Sequence, residues 1–143
     1  MPQKKKKTIL VVDDDPISLE YSRCVLERVS YQVLRATDGK EAIDILKKME
    51  KDIDLIITDI SMPKHDGIEL ISEVKKASLN LPIVVITGKS HKYHLYLQNE
   101  LGIEKILKKP VSHHALLQVV GGILRNYVQA DPQTVNVSDS HAA

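Results

Sequence analysis

Three short aliphatic runs, Ile9-Leu10-Val11-Val12, Leu55-Ile56-Ile57 and Ile83-Val84-Val85-Ile86, are apolar at every position. A half-solvated strand alternates; continuous apolarity is the pattern of parallel strands covered by helices on both faces. Each run leads into residues able to do chemistry: Asp13 and Asp14 after the first, Asp59 after the second, Thr87 after the third, with Lys109-Pro110 closing a fourth segment. Parallel strands end at a shared edge, and in open α/β sheets ligands bind there. The chain is therefore expected to gather three carboxylates, a hydroxyl and an ammonium at one place.

The stretches between the runs carry helix signals. Asp15-Pro16 opens the first helix with a capping carboxylate and a proline at its first position. Ile17, Tyr21, Val25 and Val29 are spaced to form its inner face, with Cys24 beside that face as a packing residue. After a short strand from Gln32 to Ala36, Asp38 and Glu41 make a capping box, and Ala42, Leu46 and Met49 form a second buried stripe. Asp66-Gly67 enters a third helix burying Leu70, Ile71 and Val74, and Asn80-Leu81-Pro82 precedes the fourth strand. Ser90 caps a fourth helix from about His91 to Leu101; its apolar stripe is poor, so it is predicted to be the least firmly packed.

Gly102 ends that helix, a fifth strand covers roughly Glu104 to Lys108, and Ser112 starts a fifth helix with Leu116, Val119, Val120, Ile123, Leu124 and Tyr127 inward. Gly121-Gly122 interrupts this helix at about 1 kcal/mol per glycine relative to alanine, which implies either close packing there or a loose end. Five strands alternating with five helices give an α/β fold, a doubly wound five-stranded parallel sheet, because parallel neighbours need right-handed crossovers that place helices on both faces. The expected organisation is a basic, disordered segment over 1–7, one domain over 8–128 and a polar, disordered tail over 129–143.

A chain of 143 residues fits one domain. The formal net charge of +1 gives no global attraction to nucleic acid or membrane, so protein partners are expected. The single Cys24 cannot form an internal disulfide, and no apolar run reaches the roughly 18 residues of a membrane span; a reducing cytoplasm fits both. Lys4 to Lys7 before an apolar run imitates a signal peptide, but aspartates interrupt the run and no small-residue cleavage site comes after it. That lysine run reads most simply as a solvated tail, with contact to an acidic partner or a membrane surface as the lesser reading.

Two like charges about 4 Å apart repel by roughly 4 kcal/mol at an effective dielectric near 20, so Asp13, Asp14 and Asp59 need a cation among them. Lys109 offers one positive charge, and the remainder suits a hard divalent ion such as Mg2+. A carboxylate in that setting can attack a phosphoryl group to give an aspartyl phosphate, with the cations and the Thr87 hydroxyl stabilising the charge that spreads over the transferring oxygens.

Val11-Val12-Asp13-Asp14-Asp15, Asp59-Ile60-Ser61-Met62-Pro63-Lys64-His65-Asp66-Gly67, Ile86-Thr87-Gly88 and Lys108-Lys109-Pro110 resemble, in order and spacing, the motifs of receiver domains of two-component response regulators. The resemblance covers about residues 8 to 128. It implies the flavodoxin-like strand order 2-1-3-4-5 and phosphoryl transfer to Asp59 from a histidine kinase or histidine phosphotransfer protein. It implies an acidic pocket of Asp13 and Asp14, Mg2+ held by Asp14, Asp59 and the backbone carbonyl of Ser61 with Asp13 alongside, and phosphoryl contacts from Thr87 and Lys109. A cis Lys109-Pro110 bond is implied as well. So is a stand-alone signalling module that consumes itself as substrate and is not a turnover enzyme, acting on an unknown downstream protein as a monomer or a phosphorylation-dependent dimer.

One position departs from the pattern. Ile106 stands where receivers usually carry an aromatic residue, which removes the ring that couples the threonine to the surface of the fourth helix, fifth strand and fifth helix. Tyr93 and Tyr96 are candidate anchors on that surface. In the family, the positions of Ser61 and Lys89 tune the lifetime of the acyl phosphate. Asp15, Asp38 and Asp66 read as helix caps, and His91, His94, His113 and His114 as surface residues; His65 is close in sequence to the acceptor. Two other functions compete: a receiver-like scaffold that works without phosphorylation, and a phosphatase of the haloacid dehalogenase type suggested by Asp13-Asp14-Asp15. The second is the weaker, because such enzymes carry the nucleophile on the first strand.

Overall fold

Helix caps and strand ends lie close to where the residue pattern puts them. The computed structural model describes residues 5–60, 67–77, 80–88, 91–103 and 105–124, apart from the side chains of 91–93. The elements run β1 (Thr8–Val12), α1 (Pro16–Arg28), β2 (Gln32–Ala36), α2 (Gly39–Met49) with a 3-10 turn at Glu50–Asp52, β3 (Leu55–Asp59), α3 (Gly67–Lys76), β4 (Ile83–Thr87), α4 (His91–Leu101), β5 (Lys105–Lys108) and α5 (His113–Ile123). The strands form one parallel sheet in the order β2-β1-β3-β4-β5, the doubly wound topology expected.

Strand alternation divides the core into two layers. Ile9, Val11, Leu55 and Ile57 meet Leu19 and Leu26 of α1 and Leu116 and Val120 of α5. On the other face Leu10, Val12 and Ile56 meet Ala42 and Leu46 of α2 and Leu70 and Val74 of α3. Ile71 of α3 joins Leu97 of α4 and Val85 of β4 in a third cluster, with Ile103 and the half-buried Ile106 beside it. Both faces of the central strands are thus covered, which is why their sequences do not alternate.

The described caps form as expected. Asp15 accepts from the Ile17 N–H at 3.1 Å, Ser112 from the Ala115 N–H at 3.0 Å, and Gly102 leaves α4 with φ of 66°. Asp38 accepts from the Glu41 N–H at 2.8 Å while Glu41 reaches back to the Thr37 N–H at 2.6 Å. Both glycines of α5 stay inside the helix: Gly121 is buried, and Gly122 faces open space. The expectations for Tyr127, for the tail and for the caps Asp66 and Ser90 fall outside the described residues.

The inner face of α1 requires correction. Leu19, Ser22 and Leu26 are its buried residues, whereas Ile17 is 78% exposed and Tyr21 and Val29 also face solvent; Val25 is partly buried. At about 100° per residue, a series begun two positions away points about 200° round the helix, so two apolar series of valid spacing lie on opposite sides. Cys24 falls on the outer side and is exposed, with Sγ 3.7 Å from the Arg23 guanidinium, so it is not a packing residue. Met49 is only partly buried at the end of the α2 stripe.

Candidate functional site

Sheet register decides which side chains meet. Val12 pairs with Ala36 and Thr58, Asp59 with Ile86, and Thr87 with Lys108, so the carboxyl ends of β1, β3, β4 and β5 lie side by side. Asp13 comes directly after β1. Its N–H donates to the Ala36 carbonyl at 3.1 Å and its Oδ1 accepts from the Asp15 N–H at 2.9 Å, which holds the carboxylate over the edge. Asp14 is exposed, while Asp13 and Asp59 retain only 8% and 5% of their surface. Oxygens of these three carboxylates lie within 4.8 Å of one another.

Lys109 enters from the end of β5. Its N–H donates to the Thr87 carbonyl at 2.9 Å and its peptide bond to Pro110 is cis. Its Nζ stands 2.7 Å from Asp59 Oδ2 and 3.9 Å from Asp13 Oδ2. Lys108 is exposed, as alternation between neighbouring strand residues requires. Thr87 is fully buried at the end of β4. The structure therefore brings together Asp13, Asp14, Asp59 and Lys109 and sets Thr87 at the same edge. Ser61, His65 and Lys89 lie outside the described residues.

Burial pushes the Asp13 carboxyl above its ordinary value, and the charges of Asp59 and Asp14 add to that; the Asp15 N–H and the Lys109 ammonium only partly offset it. For Lys109, burial works against the ammonium. The hydrogen bond to Asp59 and the charges of Asp13, Asp59 and Asp14 outweigh it, so its pKa stands above that of an ordinary lysine. The site thus holds an excess of negative charge with one ammonium set against it. Three oxygen donors, one of them open to solvent, suit a hard divalent cation of the Mg2+ type that keeps some of its waters.

Gly67 belongs to the architecture of this site, although its sequence context suggested only a helix entry. A Cβ at that position would stand 2.6 Å from the Asp59 carbonyl oxygen and 3.0 Å from the Ile60 Cα, so α3 starts directly against the backbone that carries Asp59. The Gly67 N–H donates to the Ile60 carbonyl at 3.3 Å. A glycine at the first residue of the helix that follows a strand-end aspartate is the signal that could have revealed this approach.

The response regulator receiver domain family matches residues 9–121. Among curated proteins, the chain is 37% identical over 134 residues to the alkaline phosphatase synthesis transcriptional regulatory protein PhoP of Bacillus subtilis, a match spanning 93% of this chain and 55% of that protein. It is 31% identical over 116 residues to the response regulator SaeR of Staphylococcus aureus, over 81% of this chain and 50% of that one. The chain thus spans about half the length of these curated relatives. Among solved structures, a response regulator receiver domain protein from Clostridium thermocellum superposes with a TM-score of 0.76 at 27% identity, covering 87% of this chain and 99% of the other. The chemotaxis protein CheY4 of Vibrio cholerae gives 0.76 at 26% identity, covering 83% and 99%. With the acidic edge and the strand order already in place, the chain belongs to the receiver domain family of two-component response regulators.

Proposed function

We propose that this receiver takes a phosphoryl group onto Asp59 from a phosphohistidine on a histidine kinase or phosphotransfer protein, in a reaction that requires Mg2+. One observation carries the reading: Asp59 ends a central strand within 2.7 Å of the Lys109 ammonium and inside a cluster of oxygen donors. An Asp59 carboxylate oxygen forms the new bond to phosphorus as the bond from phosphorus to the imidazole nitrogen breaks; that nitrogen keeps the electron pair, and the imidazole leaves neutral because its other ring nitrogen already carries a proton. Lys109, now on Asp59 Oδ2, would turn to a phosphoryl oxygen, and the Thr87 hydroxyl would donate to another. Asp14 and Asp59, with Asp13 alongside and the Ser61 carbonyl completing the set, would hold Mg2+, whose charge offsets that of the transferring phosphoryl oxygens.

The test is incubation with acetyl phosphate and Mg2+, read by intact mass. The wild type gains one phosphoryl group and Asp59→Asn gains none. Unchanged incorporation in that variant would refute the acceptor assignment. A scaffold that works without phosphorylation is the second reading, favoured by Ile106, which packs in the aliphatic cluster with Leu97 and Val85 and has no ring to move. Amide exchange of α4 before and after phosphorylation separates the two readings, since a scaffold shows no change.

The receiver acts as a switch that signals to another protein domain and does not turn over a substrate. The curated relatives are about twice as long as the matched segment, and one is named a transcriptional regulatory protein. That favours an output domain on the same polypeptide over a separate target. Immunoblotting of the protein from its native cells distinguishes them: a species near 16.0 kDa supports a separate target and a larger one an attached domain. A cytoplasmic site is part of this reading. No described helix is long and apolar enough to cross a membrane.

A further inference from the structure

The net charge of +1 conceals a polar distribution. Each helix leaves the carboxyl edge of the sheet and returns to the opposite edge, so the last turns of the helices gather where the strands begin. Three successive helices end there on cations: α1 on Arg28, α2 on Lys47 and Lys48, and α3 on Lys75 and Lys76. The 3-10 turn adds Lys51. The N-terminal lysine run arrives at the same edge, because the Gln32 N–H donates to the Lys7 carbonyl at 2.9 Å and the Lys5 ammonium lies 3.3 Å from Asp52.

The acidic groups at this edge are partly committed. Asp52 holds Lys5, Asp54 accepts the Thr8 N–H at 2.8 Å, and Glu27 lies 2.6 Å from Arg23, leaving Glu50 and Glu73 exposed. Glu100 near the end of α4 bounds the basic area on that side. Helix-end cations complement the helix dipoles, but dipoles do not account for Lys51 and the N-terminal run joining them.

We propose that this basic end face docks on an anionic lipid bilayer surface, with the acidic site turned away toward solution. Three features favour a bilayer over other anions. The cations are spread over the ends of several elements, so they match an extended plane of charge better than a single peptide. All but Arg28 are lysines, point charges without the fork that reads phosphates or bases in pairs; the chain holds no Phe or Trp, and Tyr31, directly before β2, is buried and so not open to stack on a base. A second copy offers little in return, because Asp13 and Asp59 at its acidic end are buried and Lys109 already faces both. Juxtamembrane lysine clusters bind anionic leaflets in this way, with strong screening by salt.

The experiment is co-sedimentation of the full chain with vesicles of phosphatidylglycerol and phosphatidylcholine, or of phosphatidylcholine alone, at about 50 mM and about 300 mM salt. Binding is expected only to the anionic vesicles at low salt, with a fall of about tenfold or more for Lys47→Glu/Lys48→Glu/Lys51→Glu and a smaller fall for Lys5→Gln/Lys6→Gln. These positions are exposed, and a wild-type thermal melt and far-UV circular dichroism spectrum in both variants serve as the folding control. Equal binding to both vesicle types, or wild-type binding by the triple variant, overturns the proposal. So does release from the vesicles by duplex DNA at equal phosphate concentration, which assigns the face to nucleic acid. Self-association without vesicles that the triple variant abolishes also overturns it, in favour of a second copy.

Discussion

Lys109 and Asp13 hold opposite positions in the energetics of the acidic edge. The Lys109 ammonium sits between two buried carboxylates, at 2.7 Å and 3.9 Å, so truncating it leaves both without their cation. Breaking a fully buried pair costs about 3–5 kcal/mol, but the lysine side chain is 36% exposed and water screens the pair. Lys109→Ala is therefore expected to lose about 1–2 kcal/mol in urea denaturation of the metal-free protein. Asp13 has the contrary sign. Its carboxyl is held above the ordinary 3.8, mainly by burial, so the native state binds a proton more readily than the unfolded chain and the ionised group opposes folding. Asp13→Asn keeps an oxygen for the Asp15 N–H and removes the charge. It should be more stable than wild type above the native pKa of Asp13, and that advantage should vanish as pH falls below about 3.8, where wild-type Asp13 is protonated in both states. A difference in stability that stays flat with pH would show that burial does not govern this carboxyl.

At the scale of the elements, caps and glycines make separable contributions. Asp38→Ala removes the acceptor for the Glu41 N–H and should cost about 1 kcal/mol while leaving phosphate uptake intact, because α2 does not carry the site. The two glycines at the first residue of α3 and within α5 should respond with opposite signs. Gly122→Ala meets no atom within 4 Å and should stabilise the protein by up to about 1 kcal/mol. Gly67→Ala would press on the Asp59 carbonyl, costing about 1–3 kcal/mol and slowing phosphorylation as well. Thermal melts paired with acetyl phosphate kinetics read both effects. The caps were legible because a side-chain oxygen bonding an N–H two or three residues on is a local event. The fully buried strands were legible because both of their faces must be apolar. The face of α1 was not, since Ile17 and Tyr21 on one side and Leu19 and Leu26 on the other satisfy the same spacing, and only the sheet decides between them. Gly67 was legible as a helix start but not as a contact, because the atom it approaches belongs to the backbone of Asp59, a residue distant from it along the chain.

Over the whole molecule the charged edge and the aliphatic core meet at Ile60, which is buried between Ile71, Val85 and Leu97 and sits directly after Asp59. The residue after Asp59 is thus packed in one cluster with α4, whose Leu97 is fully buried, whose Leu101 is partly buried, and whose Leu95 and Tyr96 face solvent. A divalent ion bound among Asp13, Asp14 and Asp59 should stabilise the entire fold by linkage, since the unfolded chain does not bring these residues together. At about a hundred times its dissociation constant the gain is about 2.7 kcal/mol, or roughly 10 °C in melting temperature for a domain of this size. Asp14→Asn should lose most of that shift. Lys109→Ala should enlarge it, because the ammonium competes with the ion for the same carboxylates, and the variant that is weaker without metal should gain the most from it. In the wild type the shift should shrink as pH falls through the raised pKa of Asp13, where a proton takes the place of the ion. Calorimetric melts across Mg2+ concentration and pH measure all three. A Lys109→Ala protein that gains less from Mg2+ than wild type would show that the lysine and the metal do not share one site.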